Sequence, residues 1–321
     1  MKVVVTGATG HIGAHLCQRL ARAGATVVAA SRTGHAPRVA FEPDPPSAPV
    51  RPLALDLASD AAVSGLVAEL GPDVAVVHLA AWHPPATAAS TPADRSRLLE
   101  LNVMGTLRVL DAARRAGASK IVYASTFEVY GVPPAGSIVT ESSPTRPLSD
   151  YGACKLAGED HLFAFAEEER PVPVFALRMP AIYGPGERVS RALPNFLRSV
   201  ARGERPQVHG DGLDRRDQLH ASDAALGIAC ALASPLSGIY NLADGEPHTI
   251  LDLARTALTI SGLKGVPELL PAQKPRVDFH MSIDKIQREL GFRPSYRLAD
   301  GMLEQLRWLR EQQQEPSTWR V

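Results

Sequence analysis

The sequence predicts an α/β protein organised on a doubly wound parallel sheet, and two features carry the prediction. The chain opens with a short apolar run, Val3 to Val5, that breaks at Gly7-Ala-Thr-Gly10-His-Ile-Gly13 and passes into an amphipathic pattern through Leu16 and Leu20 to Gly24. Apolar runs then recur between segments of helical period, the alternation that places helices on the faces of a parallel sheet.

The opening unit reads as a buried strand, a glycine turn and a helix. Glycines let a backbone approach a pyrophosphate closely, while the first helical turn offers unpaired N–H groups and a positive dipole end. Gly7, Thr9, Gly10, His11, Ile12 and Gly13 are therefore candidates for a dinucleotide cradle. Their spacing is G-x-x-G-x-x-G, and a plain strand-to-helix turn is the alternative reading of it. Thr26 to Ala30 is the second strand, and the residues after it should meet an adenosine ribose. An acid there selects NAD, whereas arginine accommodates the 2′-phosphate of NADP. This chain has Ser31-Arg32-Thr33, so the cofactor expectation is NAD(P), with Arg32 leaning it toward NADP. Pro37, Pro43, Pro45, Pro46 and Pro49 exclude a helix or central strand over 34–49 and predict a surface excursion.

Arg51 to Asp56 resumes a strand, and a short helix runs through Val63, Leu66, Val67 and Leu70. The run Asp73 to Ala81 is the next strand, so Asp56, Leu57, Leu79, Ala80 and Ala81 fall at carboxyl ends, where open α/β sheets bind ligands. Trp82-His83-Pro84-Pro85 begins a loop over that crevice, and His83 is a candidate substrate contact. Thr91 to Gly117 has a long helical pattern with Asn102 in its middle, placed to reach the next helix near Lys155. The strand Lys120 to Ala124 leads into Ser125-Thr126-Phe127-Glu128.

Tyr151 and Lys155 follow, four apart, so on a helix they share one face. A free phenol has a pKa of about 10, and a fixed ammonium beside it favours the phenolate needed for proton transfer near neutrality. Ser125 or Thr126 could place a hydroxyl on the far side of a reacting oxygen, and Glu128 adds a second base. Pro173 to Arg178 is the sixth strand candidate. Helices follow through Leu193 to Val200 and over 222–233, with 207–217 rich in turns. Thr249 and Asp252 mark another helix start. The chain closes with Leu290-Gly-Phe-Arg-Pro294, a helix through Leu303, Leu306 and Leu309, and a frayed tail from Gln312.

Composition narrows the class. The 321 residues carry 34 basic and 34 acidic side chains, so no global nucleic-acid footprint exists. The three cysteines, Cys17, Cys154 and Cys230, are far apart, which suggests neither a disulfide framework nor a metal site and fits reducing cytoplasm. No apolar run approaches the roughly 18 residues of a membrane helix, and Met1-Lys2 leads into Val3-Val4-Val5 without a long apolar h-region, so an unprocessed chain is expected. A soluble, cytoplasmic protein without membrane partners is expected.

In this order, Gly7-x-x-Gly10-x-x-Gly13, Asp56-Leu57, His78-Leu-Ala-Ala81, Asn102-x-x-Gly105-Thr106, Ser125-Thr126, Glu128-Val-Tyr-Gly131, Tyr151-x-x-x-Lys155, Arg178 with Tyr183-Gly-Pro185, Gly210-Asp-Gly212 and Arg216-Asp217 make the chain resemble the extended short-chain dehydrogenase/reductases. Within these, it resembles the NAD-dependent epimerase/dehydratase family of sugar-nucleotide enzymes. The resemblance implies a Rossmann domain over 1–177 with part of 208–245, and a smaller C-terminal α+β lobe over 178–207 and 246–321 that closes on a nucleotide-sugar substrate. It implies that Tyr151 is the general base at a carbinol, C4 being the expected carbon, and that Lys155 holds the nicotinamide ribose. Thr126 would share the reacting oxygen and Ser125 would support the nicotinamide, with Asn102 counted among the cofactor residues. His83, Phe127, Arg178 and Arg216 become substrate contacts, Arg216 at the diphosphate. Asp223 is expected to cap a helix, and a homodimer through the helices of Asn102 and Tyr151 is implied. The triplet Thr126-Phe127-Glu128 departs from Thr-Asp-Glu of the 4,6-dehydratases, because phenylalanine donates no proton. Ala181 replaces a frequent asparagine and Gln218 a frequent phenylalanine. A one-way NADPH-dependent ketoreductase is therefore the alternative reaction, and a nucleotide-sensing protein without turnover is a third.

Overall fold

A computed structural model describes residues 1–37, 48–84, 91–167, 172–272 and 277–314. Most of the proline-rich excursion (38–47), Pro85 and the tail beyond Gln314 lie outside them.

Among the described residues, seven parallel strands form the central sheet. Six are β1 (Lys2–Thr6), β2 (Thr26–Ser31), β3 (Val50–Ala54), β4 (Val74–His78), β5 (Lys120–Thr126) and β6 (Val174–Met179), and the seventh, Gly238–Asn241, covers the free edge of β6. The spatial order is the seventh strand, then β6, β5, β4, β1, β2 and β3, so the winding direction reverses beside β1. Crevices at such reversals are where doubly wound sheets bind ligands. The seventh strand was not expected from its four residues, only two of which, Ile239 and Tyr240, are apolar.

The valines of β1 explain the two faces. Val3 and Val5 join one core with Leu16, Leu20, Phe175, Leu177 and Ile228, while Val4 joins the other with Val28, Leu66, Val109, Ile121 and Leu162. Helices α1 (His11–Arg22) and α7 (Ala221–Ala233) cover the first face, and α2 (Asp60–Leu66), α4 (Gly105–Ala116) and α5 (Asp150–Ala166) the second.

The long pattern over 91–117 is helical with an interruption. Thr91 and Asp94 form a reciprocal cap on α3 (Pro92–Leu98), a π-helical turn spans Leu99–Met104, and Gly117 ends α4 at φ +67°. Asn102 lies in the π turn, buried, and its amide brackets the backbone of Trp82: Oδ1 accepts from the Trp82 N–H and Nδ2 donates to the Trp82 carbonyl, both at 2.7 Å. The expectation that it faces the neighbouring helix near Lys155 is corrected: it pins the loop after β4. A widened turn projects a residue out of normal register, which a 3.6-residue period cannot announce.

A third core, with Leu193, Phe196, Leu197, Leu253, Leu258, Met302 and Leu306, binds α6 (Ala192–Ala201), α8 (Ile250–Ser261) and α9 (Leu298–Gln314). The turn-rich segment contains two short strands, Gln207–His209 pairing with Glu268–Leu270 and Arg215–Arg216 pairing with His248–Thr249. Thr249 caps α8 as its spacing with Asp252 predicts. Asp223 is no cap: its carboxylate accepts from the Ser295 and Tyr296 N–H groups and the Ser295 hydroxyl, while the imidazole of His220 caps α7. Among the described residues no helix is long and apolar enough to cross a membrane.

Candidate active site

The glycine turn is built for close approach. Gly7 has φ +70°, and a Cβ there would lie 2.7 Å from the Ala80 nitrogen; a Cβ on Gly13 would lie 2.2 Å from the Gly7 carbonyl. Gly10 precedes α1 with no side-chain cap and no acid follows in the first turn, so the leading N–H groups are left to a ligand. They open on a cavity of about 480 Å³ whose lining includes Gly7, Thr9, Gly10, His11, Ile12, Gly13 and Leu79 on one side and Ser125, Thr126, Tyr151 and Lys155 on the other.

A second cavity, of about 790 Å³, continues past the glycines between the ends of β1, β2 and β4. Ser31, Arg32, Asp56, Leu57, Leu79, Ala80 and Ala81 line it, as the sequence placed them. The Ser31 hydroxyl is buried without a hydrogen-bond partner. Asp56 Oδ1 turns back to accept from the Ala58 N–H at 3.0 Å, and the Arg32 side chain stands exposed at the rim. Trp82 and Arg97 also line this space, the guanidinium 4.9 Å above the indole ring. Sequence reading missed Arg97 because its role follows from where Asn102 holds Trp82.

The third cavity, about 800 Å³, meets the first at Tyr151, Pro180 and Arg191. His83, Phe127, Glu128, Ser149, Arg216 and Asp217 are among its lining residues. Phe127 packs edge-on against Phe279 with centroids 4.9 Å apart, which makes that wall apolar. Glu128 Oε2 accepts from the Ser149 hydroxyl at 2.5 Å, and His83 Nε2 lies 3.9 Å from Glu128 Oε1. Burial raises the Glu128 pKa, but His83 and Ser149 outweigh it and hold the carboxyl below its usual range. Arg216 Nη2 lies 3.7 Å from Asp214 Oδ1. Arg191, at the start of α6, carries no helix or strand pattern that could have marked it.

Tyr151 and Lys155 share the inner face of α5, whose first turn is capped by Ser149. The Lys155 ammonium is buried, 4.5 Å from the Tyr123 ring and 6.0 Å from that of Tyr151. Burial pushes its pKa down to about 7, with Glu159 opposing. Burial also raises the Tyr151 phenol above its usual value, with Glu128 adding to the rise and Arg191 opposing. The expected depression of the phenol by the lysine is thus absent in this arrangement. Low polarity acts on both groups before their mutual attraction does.

Three of the assignments change, those of Ser125, Arg178 and Asn102. The Ser125 hydroxyl, although at the cavity wall, donates to buried Glu159. Thr126 Oγ1 accepts from the Glu128 N–H at 3.3 Å and keeps its own proton to donate. Arg178, expected at the substrate, is buried and grips Glu159 through Nε and Nη2, the latter at 2.6 Å, with its guanidinium 4.7 Å from the Tyr130 ring. It lines neither cavity beside Tyr151. The resemblance implied a substrate contact, but the side chain is taken up by buried Glu159 of α5. Asn102, counted with the cofactor residues, lines none of the three cavities and acts on them through Trp82.

Residues 3–243 match the model of the NAD dependent epimerase/dehydratase family. The chain is 32% identical to dTDP-glucose 4,6-dehydratase of Streptomyces niveus, over 97% of this chain and 93% of that protein. It is 30% identical to UDP-glucose 4-epimerase of Mycolicibacterium smegmatis, over 98% and 100%. Among solved structures, MoeE5 in complex with UDP-glucuronic acid and NAD has a TM-score of 0.82 at 31% identity, covering 97% of this chain and 99% of that one. UDP-glucuronic acid 4-epimerase from Bacillus cereus, with UDP-glucuronic acid and NAD, has a TM-score of 0.81 at 26% identity, with the same coverage.

Proposed function

Because the chain belongs to the NAD-dependent epimerase/dehydratase family, we propose that it converts a nucleotide sugar through a transient ketone at a carbinol, C4, with no net change in the cofactor. The observation that carries this reading is the position of Tyr151 on the wall common to the glycine-turn cavity and the cavity that leads to Arg216.

The chain fits a nicotinamide dinucleotide on its own geometry. Gly7 and Gly13 let the turn pack directly on the backbone of Ala80 and Ala8, the leading N–H groups of α1 suit a pyrophosphate, and the buried, unpartnered Ser31 hydroxyl suits a ribose. When bound, the nicotinamide supplies the acceptor and later the donor of hydride. Tyr151 takes the carbinol proton and gives it back, Thr126 donates to the same oxygen, and Lys155 would hold the ribose hydroxyls. Arg216 receives the diphosphate, consistent with the UDP-sugars named for the solved relatives. Glu128 is a second base in the same cavity, on the side of Tyr151 away from Lys155. With Phe127 beside it, Asp-dependent loss of water is disfavoured and epimerisation leads.

Tyr151→Phe is expected to lower turnover of UDP-glucose, UDP-glucuronic acid or dTDP-glucose by about 10²-fold or more, read by NMR of the sugar products; retention within a few-fold would reject Tyr151 as the base. Mass spectrometry of nucleotide released on denaturation tests the redox cycle. Tightly retained NAD supports internal recycling. Arg32 at the rim of the ribose cavity favours a second reading, an NADPH-dependent ketoreductase. Net loss of NADPH absorbance with a 4-keto sugar nucleotide would select it, and much weaker binding of NADPH than NADH would remove it.

A further inference from the structure

His83 stands at the mouth of the Tyr151 cavity without a place in the scheme above. Its ring centroid lies 4.6 Å from that of Tyr151. Its Nδ1 is 2.7 Å from the Pro84 carbonyl, which can only accept, so Nδ1 carries a hydrogen and Nε2 is the nitrogen whose occupancy can change. That nitrogen faces Glu128 Oε1 at 3.9 Å, a gap that a small rotation or one water closes. The other carboxylate oxygen is taken by Ser149. The other charged groups lining this cavity are Arg95 and Asp150, 3.9 Å apart, with Arg191, Arg216 and Asp217. The side chain of His83 is 35% exposed and that of Glu128 23%, so the imidazole reaches water from the position where it meets the carboxylate.

Resting on the ketone-forming reading, we propose that His83 is the proton relay between Glu128 and solvent, which makes exchange of the hydrogen on the carbon next to the oxidised carbinol an activity of this site. The step balances without a redox partner. The C–H bond beside the ketone breaks, its proton goes to Glu128 Oε1, and its electron pair forms the carbon–carbon double bond of an enolate. The proton then passes to His83 Nε2 and from the imidazolium to water. Return from water by the same route restores the ketone and recharges the pair. A carboxylate lined up with Ser149 alone would hand its proton back to the same carbon; the imidazole gives it an exit.

The test is to incubate the cofactor-loaded protein with UDP-glucose, UDP-glucuronic acid and dTDP-glucose in heavy water, reading deuterium on the sugar by NMR and cofactor reduction by absorbance. Wild type is expected to place deuterium on the carbon adjacent to the oxidised one. His83→Ala is expected to slow that exchange by about tenfold or more while cofactor reduction changes only a few-fold. Added imidazole should restore exchange in His83→Ala, and pyrazole, of the same shape but too weak a base, should not; His83→Phe, which keeps a ring beside Tyr151, should stay slow with either. Exchange in His83→Ala at the wild-type rate, or equal rescue by pyrazole, would overturn the relay. Cofactor reduction without deuterium in wild type would overturn it while leaving the ketone-forming reading intact. Failure of every sugar to reduce the cofactor would reject that reading, and the relay with it.

Discussion

Beneath the reacting residues, Arg178 and Glu159 form a buried ion pair that also takes the Ser125 hydroxyl and faces the Tyr130 ring. Such a pair is hard to break one side at a time, because the partner left behind is a charge out of water. Arg178→Met is therefore expected to cost about 3–5 kcal/mol in urea-induced unfolding, and the double change Arg178→Met with Glu159→Leu to recover most of it. Activity should fall with the single change through loss of fold rather than of substrate affinity. The sequence held little of this arrangement. Tyr151 and Lys155, four apart, read as sharing one helix face, whereas Glu159, a further four residues on, was not singled out. That this acid would claim Arg178 was not legible, because pairing β6 with β5 brings together residues that no local spacing connects.

Helix α5 shows how one element binds both cores to the site. Its outer turn offers Tyr151 to the cavities, and its middle lies so close to β5 that a Cβ on Gly158 would fall 2.2 Å from the Tyr123 hydroxyl. Alanine for glycine within a helix ordinarily stabilises by roughly 1 kcal/mol. Here the overlap reverses the sign: Gly158→Ala is expected to lower stability by about 1–3 kcal/mol, seen as a lower melting temperature. It should also slow turnover, because the displaced Tyr123 ring is the floor under the Lys155 ammonium. The strand, glycine turn and helix at the chain's start were readable since each depends on its own residues. The π turn around Asn102 and the strand Gly238–Asn241 were not: the first is defined by a contact with Trp82, and the second by the β6 edge it covers.

Across the whole molecule, three buried histidines couple stability to pH. Burial lowers the pKa of His15 to about 4 and those of His78 and His220 to about 3. In the unfolded chain each titrates near 6.5, so below that value the unfolded state binds more protons and stability falls with pH until the folded pKa is reached. His15→Gln is expected to flatten the acid limb of thermal stability between about pH 6.5 and 4 by roughly 1.4 kcal/mol per pH unit, relative to wild type in the same buffers. Little change in slope would mean that His15 is protonated with the fold intact.

The order in which the sheet is assembled has its own consequence for a chain leaving the ribosome. β6 ends at Met179, but the strand that covers its edge begins only at Gly238, after α6 and α7 have been made. Until then the nascent sheet shows a row of unpaired amides and carbonyls beside Phe175 and Leu177, the kind of edge that recruits other strands. Translation pauses within that interval would lengthen the exposure, and a chaperone that shields strand edges would be needed most there.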